Sequence, residues 1–307
     1  MSKHLFLIHG RNFKPNQKAL SDNWLNAIKH GLQRKNVISK FKNVMNDFKN
    51  AKKTFVYYGD LSNRLLKAHN LSYDEARDIS NRMTCLKKLK TYKKFDKKNY
   101  KKLPGAGSVL DDLARIFNRP ADAFDIFGVI PQLIGLFAPD MKDYWEERNF
   151  AMDARARLTK PLSNALINGD DVCLVAHSLG SIISYDVLWK FSHYGEYQEL
   201  RKSKPKKVTF ITIGSPLGNE TVKRYLKGSD KKGAKYPSLV RKWDNFAAED
   251  DYISHDQTLA NDYRGMLTNI TDHHIYNLAV RNRKSNPHHS TGYLIHPEFI
   301  GVLAPWL

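Results

Sequence analysis

Short apolar runs recur along the chain, and several are followed by residues at helical spacing. "HLFLIHG" (4–10) is closed by glycine and predicts a buried strand. "NQKALSDNWLNAIKHGLQRK" (16–35) then places Leu20, Trp24, Leu25 and Ile28 on one side of a helix. "KTFVYYGD" (53–60) predicts a second strand, and "DDVCLVAHS" (170–178) a third. After the third comes a helix with Ile182, Tyr185 and Leu188–Trp189 on one side. "KKVTFITIGSP" (206–216) and "SLVRKWDNFAAEDD" (238–251) read as the fourth and fifth strands, and "HHIYNLAV" (273–280) as a sixth. The closing "GYLIHPEFIGVLAPWL" predicts a helix packed back on the sheet. Strands alternating with helices imply an α/β fold with a mostly parallel sheet, helices on both faces.

Residues 60–142 interrupt this rhythm, because no core strand shows between "FVYYGD" and "DDVCLVAHS". The region reads as a helical, Lys-rich cap or lid inserted into one domain spanning 1–307, with a core helix allowed at its start. Residues 82–102 hold ten Lys or Arg against one acid, Asp96, and interleave Tyr92, Phe95 and Tyr100 with lysines. "PGAG" follows as a break, then the apolar, proline-interrupted "AFDIFGVIPQLIGLFA" (123–138).

Charge changes the picture more than composition does. The formal net charge is +19, which favours anionic surroundings and says nothing about fold. The N-terminal apolar run is too short for a signal peptide, and no eighteen-residue apolar stretch occurs, so a cytoplasmic protein is expected. Two cysteines, Cys85 and Cys173, give no disulfide framework.

The candidate chemistry lies in "AHSLG", at the joint between the third strand and its helix. A nucleophilic serine needs a sharp turn with small residues two before and two after it, here Ala176 and Gly180. It also needs a base, an acid that orients the base, and donors for an oxyanion. Ser178 fills the first place, and the Leu179 N–H at the helix start is the natural first donor. The plainer alternative is a tight turn with an incidental serine.

Open α/β sheets build their sites beyond strand ends. The fifth strand ends at Asp250 and Asp251; Asp251 is preferred because Tyr252 and Ile253 can anchor the loop, with Asp250 second. "SNPHHSTGYLIHP" (285–297) offers the base. His289 is preferred as nearest the helix start, with His288 close behind and His296 structural. "LIHGR" after the first strand supplies a close backbone approach through Gly10, and the Arg11 N–H as a second oxyanion donor. Neither histidine pair has the i, i+4 helical spacing of a zinc site, so no metal is expected, and this chemistry requires no cofactor.

In order, "LIHGR", "YYGD", "VAHSLGS", "TIGSPLG", "WDNFAAEDDYI" and "HHSTGYL" resemble the α/β-hydrolase superfamily, in particular its bacterial lipase and serine-esterase branches. The resemblance covers roughly 1–60 and 143–307. It implies a Ser178–His289–Asp251 triad, an acyl-enzyme route to carboxylic ester cleavage, and a cap formed by 60–142. The expected substrate is a small-molecule or lipid-like ester. A phospholipase or thioesterase at an anionic membrane surface, held through 82–102, is the alternative. The alternative from another class is a non-catalytic nucleic-acid-binding protein on the same scaffold. It is disfavoured because no recognised nucleic-acid motif occurs.

Overall fold

The computed structural model describes residues 2–106, 139–202, 208–233, 235–254, 257–266 and 269–307. Six strands form one sheet: β1 (Lys3–Ile8), β2 (Lys52–Val56), β3 (Asp171–His177), β4 (Val208–Ile213), β5 (Val240–Ala248) and β6 (Asn269–Ile275). Their order is β2-β1-β3-β4-β5-β6, and every neighbouring pair is parallel. A small antiparallel hairpin follows, β7 (Val280–Arg281) with β8 (Lys284–Ser285).

Seven helices carry the layers or border the site: α1 (Gln17–Leu32), α2 (Gly59–Ala68), α3 (Glu75–Leu89), α4 (Arg148–Ile167), α5 (Leu179–His193), α6 (Ser290–Leu294) and α7 (Pro297–Trp306). Strand alternation sorts the core into two clusters. Phe6, Ile8, Leu174 and Phe210 face the layer of α4 and α5. Leu5, Leu7, Val175 and Ile211 face the layer of α1, α3, α6 and α7. The period-two side-chain geometry of a strand requires this division, and burial on both faces explains the continuous apolar runs of β1, β3 and β4. At the start of α1, the Asn16 side chain accepts from the Ala19 N–H at 2.9 Å.

Two sequence expectations shift. The sixth strand was expected at 273–280 but runs over Asn269–Ile275. It is an edge strand, half exposed, so polar Thr271, Asp272, His273 and His274 are tolerated and the apolar signal is weak. The residues after Ile275 leave the sheet, where Asn277 serves the loop described below. The single closing helix is two, broken at His296–Pro297. Proline stands at the first turn of α7, and His296, extended at φ −65°, ψ 136°, caps it by accepting from the Glu298 N–H.

The described part of the expected insertion lies against the sheet layers. Cys85, Leu86 and Leu89 of α3, with Tyr100 and Leu103 beyond it, join the core cluster on the α1 face. Tyr92 and Phe95 are partly buried against the same cluster, whereas Lys87, Lys88, Lys90, Lys93, Lys94, Lys97 and Lys98 are exposed. The segment 123–138 lies outside the described residues. No helix among the described residues is long and apolar enough to cross a membrane.

Candidate active site

The chain passes from β1 outward to β2, then returns to place β3 on the other side of β1. The strand order therefore reverses between β1 and β3, where the loops diverge and leave a crevice at the carboxyl ends. Residues 9–14 and Ser178 are at that crevice.

Ser178 joins β3 to α5 with φ 54° and ψ −127°, a conformation that side chains rarely adopt. Its N–H donates to Ile213 O at 3.2 Å, and Ser181 Oγ donates to its carbonyl at 2.6 Å. The Ser178 hydroxyl is buried and has no partner. Tight packing forces the small neighbours. A Cβ on Gly180 would stand 2.5 Å from His9 O, and one on Gly10 would stand 2.5 Å from Ser178 Cβ. Only glycines let the loop after β1 lie directly on this corner. Leu179, first in α5 and fully buried, has an N–H that no helical carbonyl can accept. Arg11 follows Gly10, so its backbone reaches the same neighbourhood.

His9 belongs to the scaffold. Its Nδ1–H donates to Gly10 O at 2.8 Å, its Nε2 accepts from the Tyr58 N–H at 3.1 Å, and Tyr58 Oη donates to His9 O. Both ring nitrogens are thus occupied. Burial, then the Lys14 cation, holds its pKa well below the usual imidazole range, so it stays neutral. Lys14 Nζ donates to the carbonyls of Arg11 and Asn12 and braces the loop.

The acid and the histidines come next. Asp251 is 3% exposed and lies just past β5. Its Oδ1 accepts from the Ile253 N–H at 3.1 Å, and its Oδ2 from Tyr293 Oη at 2.5 Å. His288 Nδ1 reaches both carboxylate oxygens, at 2.9 and 3.0 Å. Burial raises the Asp251 carboxyl, but His288, Tyr293 and Ile253 together outweigh it and hold the group below the ordinary carboxylate range. His288 Nδ1 therefore carries the proton toward Asp251 and leaves the Nε2 lone pair outward; that Nε2 is buried and unpartnered.

The geometry pairs His288, and not the preferred His289, with Asp251. Asn277 Nδ2 donates to the carbonyls of both Pro287 and His289, which fixes the loop with successive side chains turned apart. His288 faces Asp251, while His289 caps α6, its Nδ1 accepting from the Thr291 N–H at 3.3 Å. Asp250 also stands apart from the histidines. At φ 60° its carboxylate turns away and accepts from Tyr100 Oη at 2.7 Å.

Three contributors carried no readable signal of their own. His177 Nε2–H donates to His288 O at 2.9 Å, and the two rings lie 4.6 Å apart. Tyr293 braces Asp251 from 42 residues away. Gly214, at φ 54°, sits where a Cβ would come 2.9 Å from Asp251 Oδ2 and 3.1 Å from His288 Nδ1. The "GSPL" pattern contained this glycine, but its role depends on a contact among the ends of β4 and β5 and the loop before α6.

A cavity of about 380 Å³ opens beside His288 and His177 and runs between the loop after β1, α3 and the β7–β8 hairpin. Comparison with protein-family models, with curated proteins and with solved structures finds no match.

Proposed function

We propose that the protein is a serine hydrolase that cleaves a carboxylic ester through Ser178, His288 and Asp251. The observation that carries this reading is the buried Asp251–His288 pair, with Nδ1 committed to the carboxylate and Nε2 left without a partner. Ser178, strained at its strand-to-helix corner, has a similarly unpartnered hydroxyl. Its N–H bonds Ile213 O, and the next residue, Gly214, packs on the His288 ring. The parallel sheet, with pieces drawn from the ends of β1, β3, β4 and β5 and from the loop before α6, supports a hydrolase-like arrangement.

In the proposed reaction Ser178 Oγ attacks the acyl carbon while His288 Nε2 takes its proton. The Leu179 and Arg11 N–H groups hold the negative oxygen, and the alcohol leaves with the proton returned by His288. Water, deprotonated by His288, then releases the acid and frees Ser178. Asp251 fixes the imidazole tautomer and stabilises its cation.

Treating the protein with a fluorophosphonate, which phosphorylates an activated serine, tests the reading. Labelling lost in Ser178→Ala, strongly weakened in His288→Ala and retained in His289→Ala is the expected pattern. A folded parent that takes no label, or equal labelling of Ser178→Ala, would overturn it.

A further inference from the structure

The cavity beside His288 holds positive charge that its own carboxylates do not balance. Asp78 of α3 is 2% exposed and accepts from Arg82 Nε at 3.0 Å and from Arg281 Nη2 at 2.6 Å. Tyr73 Oη donates to the same carboxylate at 2.9 Å. Burial raises the Asp78 carboxyl, but the two guanidinium groups bring it down to about 2, so the acid is ionised at neutral pH. One carboxylate between two guanidinium groups leaves one positive charge in excess. Arg82 is 6% exposed, and burying an unbalanced charge is costly.

His289 adds a second, independent observation. Because its Nδ1 accepts from Thr291, its proton sits on Nε2. That Nε2–H is buried without an acceptor, and the ring lines the same cavity as Arg82, Arg281 and His288. Buried donors are ordinarily satisfied, so a donor left open beside excess positive charge points to a missing acceptor that is an anion.

Resting on the hydrolase reading, we propose that this cavity binds a carboxylate or phosphate group carried by the ester substrate, with His289 Nε2–H and the Arg82–Arg281 pair as its receptor. Since His288 lines the same space, the anion and the scissile ester belong to one small molecule. A volume of about 380 Å³ is at the low end for ligand sites, roughly 300–1,000 Å³, and suits a short polar ester better than a long acyl chain.

The test compares mono-4-nitrophenyl succinate with 4-nitrophenyl butyrate, a matched pair differing in the terminal charge. The parent should favour the succinate by about tenfold or more in kcat/KM, as one charged hydrogen bond provides. Arg281→Gln should lose that preference, while the exposed Lys98→Gln keeps it. Equal rates on the two esters would overturn the proposal. Glutarate and inorganic phosphate, each competing against the succinate ester, separate the sources: the stronger competitor names the group, and failure of both overturns the site. The fluorophosphonate reaction keeps the two readings apart. Labelling without charge preference removes the anion site and leaves the triad; no labelling, with glutarate or phosphate still raising the parent's Tm, removes the triad and leaves the anion site.

Discussion

Removing one oxygen atom from Tyr293 tests how the Asp251 carboxylate is held. Tyr293 Oη donates to Asp251 Oδ2 at 2.5 Å and accepts from the Ala248 N–H at 3.0 Å, and its ring is fully buried. Tyr293→Phe keeps the ring, so packing is preserved while these two bonds, and the hydroxyl's bond with Ser254, are lost. A hydrogen bond to a charged group contributes about 1.5–3 kcal/mol, and a buried N–H left without an acceptor costs about 1–3 kcal/mol. The two share one hydroxyl and are not fully additive, so about 3 kcal/mol is expected, a large fraction of a typical stability of about 5–15 kcal/mol. Urea unfolding of parent and variant at pH 7 measures it as a shift in midpoint at unchanged slope. A second readout follows from charge. The Tyr293 hydroxyl helps lower the Asp251 carboxyl, so without it the carboxyl rises and protonates at higher pH. The loss of stability on acidification below about pH 4 should therefore be smaller in the variant than in the parent. A variant within about 0.5 kcal/mol of the parent at pH 7, with an unchanged loss of stability below about pH 4, would refute the assignment of Tyr293 as the brace of Asp251.

Further outcomes separate neighbours that sequence left level. Asp251→Asn should cut 4-nitrophenyl acetate turnover by about a thousandfold or more by reversing the imidazole tautomer, whereas Asp250→Asn, which tolerates its positive φ, should leave it within about twofold; comparable losses in both would reject the distinction. Gly214→Ala places a Cβ against the Asp251–His288 pair at φ 54° and should cost about 1–2 kcal/mol from the backbone alone, with turnover falling further than stability; parent-like kcat would show that the pair has room to move. Acid should destabilise the fold in two ranges. Burial holds His9, His177 and His289 well below the ordinary imidazole pKa and His296 at about 3, so the unfolded chain takes up protons that the folded chain refuses. Stability is then full above about pH 6.5 and falls by up to about 1.4 kcal/mol per pH unit for each such histidine as pH drops below it. Asp78 and Asp251, lowered in the fold, contribute stability above their unfolded pKa of about 4 and lose it as pH falls further, toward about 2 for Asp78. A Tm that stays level between pH 7 and 4 would contradict the neutral burial of these histidines.

The sequence by itself determined the parallel α/β layering, because a strand covered on both faces must be apolar along its length, and β1, β3 and β4 read that way without any partner in view. It also located the serine corner, since a hydroxyl between small residues at a strand-to-helix joint is a local pattern. Edge strand β6 was less legible: one half-exposed side lets polar residues dilute the signal that buries a central strand. The Lys-rich stretch is hard to read for a related reason, because seven of its lysines between positions 87 and 98 are solvated while Cys85, Leu86 and Leu89 do the packing. Only tertiary structure could choose between Asp250 and Asp251, or between His288 and His289. Adjacent residues share composition and context, and their side chains diverge according to hydrogen bonds from distant partners: Tyr100 turns Asp250 away, Asn277 pins the carbonyls on either side of His288, and Tyr293 holds Asp251 in place. The excess charge at Asp78, Arg82 and Arg281 is equally invisible in one dimension, because it arises where a helix and a hairpin 203 residues apart meet across a cavity.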